Sequence, residues 1–205
     1  MELVCLDLEG VLIPEIWIAF AEKTGIESLK KTTRDEPDYD VLMRYRLQIL
    51  KDHGLTLQDI QAVIATLEPL PGAKAFVDWL NCNFQVIILS DTFYEFSAPL
   101  MKQLGWPTLL CHRLETDENG IVIDYHLRQK DPKRAAVQAL HSLNYRIFAA
   151  GDSYNDTSML AEADVGFLFH APSNVKQEFP QFQAVDEYQD LQRLIAEASE
   201  REITL

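Results

Sequence analysis

The chain predicts a doubly wound, mostly parallel α/β sheet with a small helical cap inserted after its first strand. Strand-like apolar runs near 3–7, 84–90, 108–111, 146–150 and 165–169 alternate with amphipathic helical patterns near 72–83, 94–104, 132–143, 155–163 and 188–199. Such alternation builds a parallel sheet with helices on both faces. Three of the runs also stop abruptly in carboxylates or hydroxyls: Val4-Cys5-Leu6-Asp7-Leu8-Glu9-Gly10, Val86-Ile87-Ile88-Leu89-Ser90-Asp91-Thr92, and Ile147-Phe148-Ala149-Ala150-Gly151-Asp152-Ser153-Tyr154-Asn155-Asp156. Open α/β sheets bind ligands outside the carboxyl ends of their strands. Asp7, Glu9, Ser90, Asp91, Asp152 and Asp156 are therefore expected to line one acidic crevice.

The alternation breaks once. After the first strand the chain spends residues 14–71 on helical patterns alone, with Pro14 opening the stretch and Pro69-Leu70-Pro71-Gly72 closing it. Val41, Leu42, Tyr45, Leu47, Ile49 and Leu50 among polar residues predict a helix over 40–52. Thr56, with Asp59 three residues on, is a candidate N-cap for another over 56–68. An insertion at this point overhangs the crevice, so 14–71 reads as a lid and 1–13 with 72–205 as the core. Further on, Glu118-Asn119-Gly120 predicts a hairpin turn, a local antiparallel excursion. Trp17, Phe20, Trp79, Phe93 and Phe96 fall at helical spacings and read as packing residues.

Composition narrows the partners. With 205 residues, 47% hydrophobic and 10% aromatic, the chain buries a proper core and is not disordered. A net charge of −14 argues against nucleic acid or anionic membrane, while a small phosphorylated substrate stays open. Cys5, Cys82 and Cys111 are odd in number and scattered, the pattern of reduced thiols. No apolar run nears the ~20 residues of a membrane helix, and the N-terminus has no signal-peptide pattern. The expectation is a cytoplasmic protein. The five histidines show no metal-ligand spacing.

The crevice suggests a chemistry. A carboxylate such as Asp7 attacking a phosphate dianion meets like-charge repulsion and needs neutralisation and alignment. Mg²⁺ held by Asp7, a neighbouring carbonyl and Asp152 would supply both. Ser90 could donate to a phosphate oxygen, and Lys133, behind Pro132 at a helix start, could neutralise the transferring group. Glu9 could protonate the leaving alcohol and then deprotonate the incoming water. Each residue alone also reads as an ordinary turn, cap or surface residue. Their convergence on one sheet edge favours the site.

In this order, Asp7-Leu8-Glu9-Gly10, Ser90, Lys133 and Gly151-Asp152-Ser153-Tyr154-Asn155-Asp156 resemble the four motifs of the haloacid dehalogenase-like phosphatase superfamily. The segment Leu42-Met43-Arg44-Tyr45-Arg46-Leu47-Gln48-Ile49-Leu50-Lys51-Asp52 further resembles the cap helix of its phosphoserine phosphatases, above all the type that also transfers phosphate to homoserine. The resemblance implies Asp7 as phosphorylated nucleophile, Glu9 as acid and base, and Mg²⁺ on Asp7, Asp152 and the Glu9 carbonyl. It implies phosphoryl contacts from Ser90 and Lys133 and groups Asp91 and Asn155 with the substrate-binding residues, Asp156 supporting the site. Glu15 and Arg46 would reach the amino-acid end, a carboxylate for the ammonium and a guanidinium for the carboxylate. The implied partners are phosphoserine and homoserine; the oligomeric state is left open.

Two departures stand out. The superfamily's phosphatases usually carry Asp where this chain has Glu9, and Gly10-Val11-Leu12 lacks the hydroxyls that often follow. Two alternatives remain at this point: a general small-molecule phosphatase of the same fold, and a receiver-like phospho-acceptor domain. The insertion after the first strand and Glu9 both speak against the second.

Overall fold

The computed structural model describes residues 1–32, 35–36 and 38–204. Strand β1 (Glu2–Leu6) leads into helix α1 (Ile16–Thr24), a 3₁₀ turn (Glu27–Lys30), α2 (Tyr39–Asp52), α3 (Leu57–Ile64) and α4 (Ala73–Asn83). Then come β2 (Gln85–Phe93), α5 (Tyr94–Gln103), β3 (Thr108–Thr116), β4 (Val122–His126), α6 (Pro132–Ser142) and β5 (Arg146–Gly151). A 3₁₀ turn (Tyr154–Asp156) precedes α7 (Thr157–Glu162), β6 (Val165–Phe169), α8 (Ser173–Glu178), β7 (Gln183–Val185) and α9 (Tyr188–Ala198). The sheet runs β4-β3-β2-β1-β5-β6-β7, parallel except for the β3–β4 hairpin. It is the predicted α/β architecture.

Alternation along β1 sorts the core. Leu3 and Cys5 face a cluster with Val137 of α6, Met159 of α7 and Val175 of α8. Val4 and Leu6 face a larger cluster that runs unbroken through Phe76, Phe96 and Ile195 into Phe20, Leu47 and Ile60 of α1 to α3. The inserted helices thus share the sheet's own apolar core. Asp38 caps α2, accepting from the Asp40 and Val41 N–H groups. Thr56 and Asp59 form a reciprocal capping box at α3.

Several boundaries differ from the sequence expectation. Strand β2 continues past Ser90 to Phe93, because a register break between Leu89 and Phe93 lets it keep pairing with β3. The expected 56–68 helix stops at Ile64, and the expected 155–163 helix opens as a 3₁₀ turn. Glu9 lies beyond the strand, since β1 ends at Leu6 and the chain turns at Gly10 with φ +76°. No helix among the described residues is long and apolar enough to cross a membrane.

The C-terminal segment is fastened to β1 by a buried acid. The Glu2 carboxylate accepts from Ser199 Oγ at 2.7 Å, the Glu200 N–H at 2.8 Å and Arg201 Nε at 2.9 Å. Burial raises its pKa, but these donors outweigh burial and hold it below the usual value. Glu2→Gln is expected to cost roughly 1.5–3 kcal/mol at pH 7, the scale of hydrogen bonds to a charged group. A lowered native pKa contributes stability above the unfolded-state value of about 4.3. That contribution fades as pH falls through the native value, so the gap between wild type and variant should close in acid. Urea unfolding at pH 7 and pH 3 measures it; an equal gap at both would place the stabilisation elsewhere.

Candidate active site

The carboxyl ends of β1, β2 and β5 meet around one ammonium. Lys133 Nζ, on a side chain 3% exposed, lies 2.9 Å from Asp7 Oδ1, 2.7 Å from Asp156 Oδ1 and 3.7 Å from Asp91 Oδ2. The Asp7 N–H donates to the Ala150 carbonyl at 2.9 Å, which extends the β1–β5 pairing and aims Asp7 over the sheet edge. Asp156 also accepts from the Asp152 and Ser153 N–H groups at 2.9 and 3.1 Å. Two glycines allow this closeness. A Cβ at Gly151 would sit 2.4 Å from the Asp156 side chain, and one at Gly10 would sit 2.6 Å from Asp152 Oδ2.

Asp7, Asp152 and Asp156 each offer an oxygen within 4.8 Å of the others. Burial, then Asp156, pushes Asp7 well above the carboxylate range, and Lys133 only partly offsets this. Burial and Asp156 push Asp152 up to about 7. For Lys133 burial acts downward, but Asp156, Asp7 and Asp91 outweigh it and hold the ammonium charged. With Asp91 beside Asp7, Asp152 and Asp156, four carboxylates facing one ammonium must take up a proton or a cation. Asp156 already has Lys133 and two N–H donors, so Asp7 and Asp152 have the oxygens to spare. An all-oxygen set of this kind fits Mg²⁺.

Glu9 lies in a different environment. It accepts from the Ile16 N–H at 2.8 Å and from the Thr92 hydroxyl. Burial and then Glu15 push its pKa to about 8, so the acid keeps its proton at neutral pH. Ser90 is buried, its Oγ accepting from the Thr92 N–H at 3.2 Å. Asp91 accepts from Asn155 Nδ2 at 2.8 Å; burial acts upward on it, but Lys133, His112 and Asn155 hold it ionised. From α2, Arg46 reaches inward with only 6% exposure, and burial lowers its pKa. Its guanidinium lies 4.6 Å from the Trp17 ring and Nη2 donates to the Lys31 carbonyl at 2.9 Å. Buried Arg46 Nε has no partner among the described residues. Glu15 is exposed and acts electrostatically on Glu9, Asp152 and Arg46, with no ion pair to Arg46.

Asp7, Asp91, Asp152, Asp156 and Asn155 thus gather with Lys133 at the strand ends, while Glu15 and Arg46 act on Glu9 and do not pair with each other. Three contributors were not singled out. Thr92 bonds Glu9, and its position after Ser90-Asp91 was the available signal. Tyr39 Oη donates to the Asp91 carbonyl at 3.3 Å. His112 is buried, with Nε2 3.5 Å from Asp91 Oδ1, and only the pairing of Phe93 with His112 puts it there.

The acid-and-lysine cluster at the strand ends defines a class. Residues 1–164 match the haloacid dehalogenase-like hydrolases, and the chain belongs to that family of enzymes. Over all 205 residues it is 70% identical to a phosphoserine phosphatase of Pseudomonas syringae pv. tomato, covering 86% of that protein. It is 69% identical to the phosphoserine phosphatase ThrH of Pseudomonas aeruginosa, covering all of each chain. Among solved structures, a phospho-aspartyl intermediate analogue of phosphoserine phosphatase superposes with a TM-score of 0.76 at 18% identity, over 94% of this chain and 98% of that one.

Proposed function

We propose that the chain is a Mg²⁺-dependent phosphomonoesterase that hydrolyses O-phosphoserine through a phosphoaspartate on Asp7 and also passes the phosphoryl group to homoserine. The observation that carries the substrate assignment is Arg46: a buried guanidinium whose Nε lacks a partner suits a substrate carboxylate. The two Pseudomonas relatives, both named phosphoserine phosphatases and matched over the whole of this chain, support the same reading.

In this reading residues 14–71 form the cap over a core of 1–13 and 72–205. The phosphoryl group lies against Ser90 and Lys133, and Glu15 faces the ammonium. An Asp7 oxygen bonds to phosphorus as the serine oxygen leaves with the proton that Glu9 holds. A water or the homoserine hydroxyl then attacks the phosphorus, returns a proton to Glu9 and frees Asp7. Asp156 holds Lys133 in place, and Asn155 fixes Asp91 beside it. Asp7, Asp152 and the Glu9 carbonyl would hold Mg²⁺, whose positive charge would offset repulsion between nucleophile and phosphate.

The test is phosphate release from O-phosphoserine with Mg²⁺ and after chelation, with phosphohomoserine measured when homoserine is added. Turnover of an aryl phosphate but not of phosphoserine would discard the substrate assignment and keep the chemistry. Arg46→Gln should raise KM for phosphoserine by roughly tenfold or more, the scale of a charged hydrogen bond, and leave KM for an aryl phosphate unchanged. Equal losses on both substrates would make Arg46 structural. Glu9→Asp withdraws the carboxyl by about 1.5 Å and is expected to lower transfer relative to hydrolysis. An unchanged ratio would remove Glu9 as the cause of alcohol acceptance.

A further inference from the structure

Beside the crevice, between the start of α5 and the segment that leaves β4, lies a cavity of about 350 Å³. Its walls include Tyr94, Cys111, Arg113, His126, Leu127 and Arg128. In a chain of net charge −14 this concentration of basic groups stands apart. Both guanidinium groups lie close enough to act on the buried Cys111 thiol. Arg113 lies over the Tyr94 ring at 5.8 Å, and Arg128 Nη2 donates to the Pro132 carbonyl at 2.8 Å.

Neither arginine pairs with a carboxylate among the described residues, although acids are near. Glu115 is engaged by His126 at 2.8 Å, and Glu95 accepts the Leu114 N–H at 3.0 Å. Two exposed guanidiniums without a carboxylate partner among the described residues, with an aromatic ring and the half-exposed Leu127 beside them, suit a small molecule with one oxyanion and a short apolar body.

The cavity is wired to the crevice through Arg128. Its N–H donates to His112 Nδ1 at 3.1 Å, which leaves the neutral imidazole proton on Nε2, the nitrogen facing Asp91 at 3.5 Å. Its guanidinium holds the carbonyl of Pro132, the residue before Lys133. Any ligand that draws Arg128 toward itself pulls on both connections.

We propose that this cavity is a second, regulatory site for a small oxyanion, a carboxylate or phosphate on a short carbon chain, whose binding is transmitted through Arg128 to Asp91 and Lys133. The experiment is NMR of the whole Mg²⁺-loaded chain with butyrate and, separately, with inorganic phosphate, alongside turnover of an aryl phosphate. Aryl phosphate keeps the outcome independent of the phosphoserine assignment, and the NMR arm is independent of any turnover. Saturable shifts are expected at Leu127, Arg128 and Arg113, with kcat changing roughly fivefold, the low end of allosteric coupling. Arg113→Gln should lose both effects and keep the basal kcat. Butyrate acting alone would identify a carboxylate ligand, phosphate alone a phosphate ligand, and both a general oxyanion site. Competition by phosphate in the crevice would raise KM and survive Arg113→Gln. Shifts that do not saturate, shifts that survive Arg113→Gln, or binding that leaves kcat unchanged would overturn the proposal.

Discussion

Asp7→Asn is expected to lower phosphate release from O-phosphoserine by at least about 10⁴-fold, the scale seen when a covalent nucleophile is removed. The amide cannot form the acyl phosphate, and no neighbour can replace it. Asp156 is bound to Lys133 and two backbone N–H groups, and Asp152 belongs to the proposed metal set. Stability should move the other way. Asp7 is pushed well above the carboxylate range by burial and by Asp156, so neutralising it relieves repulsion in metal-free protein. Metal-free Asp7→Asn should therefore melt above metal-free wild type and gain less from added Mg²⁺. Brief exposure to ³²P-phosphoserine followed by acid quench checks the covalent step, with label on wild type and none on the variant. Label that persists on wild type without product would mark a phospho-acceptor that signals instead of turning over.

The crevice was legible because its signal is local. An apolar run ending in a carboxylate needs no partner strand to be noticed, and Asp7, Asp91 and Asp152 each follow such a run. What could not be read depends on register between distant segments. The length of β2 past Ser90 rests on a bulge against β3, and His112 faces Asp91 only through that same pairing. Arg46 could be named only because its segment resembles the cap helix of phosphoserine phosphatases. That its Nε would be buried and unpartnered depends on Trp17 and the Lys31 carbonyl, which come from other elements. Strand β7, with three residues, and α8, with six, are too short to show a period. The hairpin turn at Glu118-Asn119-Gly120 was visible, but not its docking: the Leu57 N–H at the start of α3 donates to the Gly120 carbonyl at 2.8 Å.

Lys133→Met should be the most damaging single change to the fold of the site. The ammonium lies within 3.7 Å of three carboxylates, those of Asp7, Asp91 and Asp156. Removing one partner of a buried charge set leaves the others uncompensated and costs about 3–5 kcal/mol. For a chain of 205 residues that lowers Tm by roughly 10 °C. Methionine nearly matches the lysine stem, so the loss reports charge and not a cavity. Mg²⁺ should return part of it, since a ligand at a hundred times its Kd stabilises the native state by about 2.7 kcal/mol. The Mg²⁺-induced rise in Tm is expected to be larger in Lys133→Met than in wild type, because the cation then replaces the ammonium that faced Asp7. Activity should stay low even with the metal bound, because no ammonium remains to meet the phosphoryl oxygens. Melting of both proteins with Mg²⁺ and with chelator separates the two roles. A variant as stable as wild type in chelator would mean that the carboxylates are held by their backbone donors and not by Lys133.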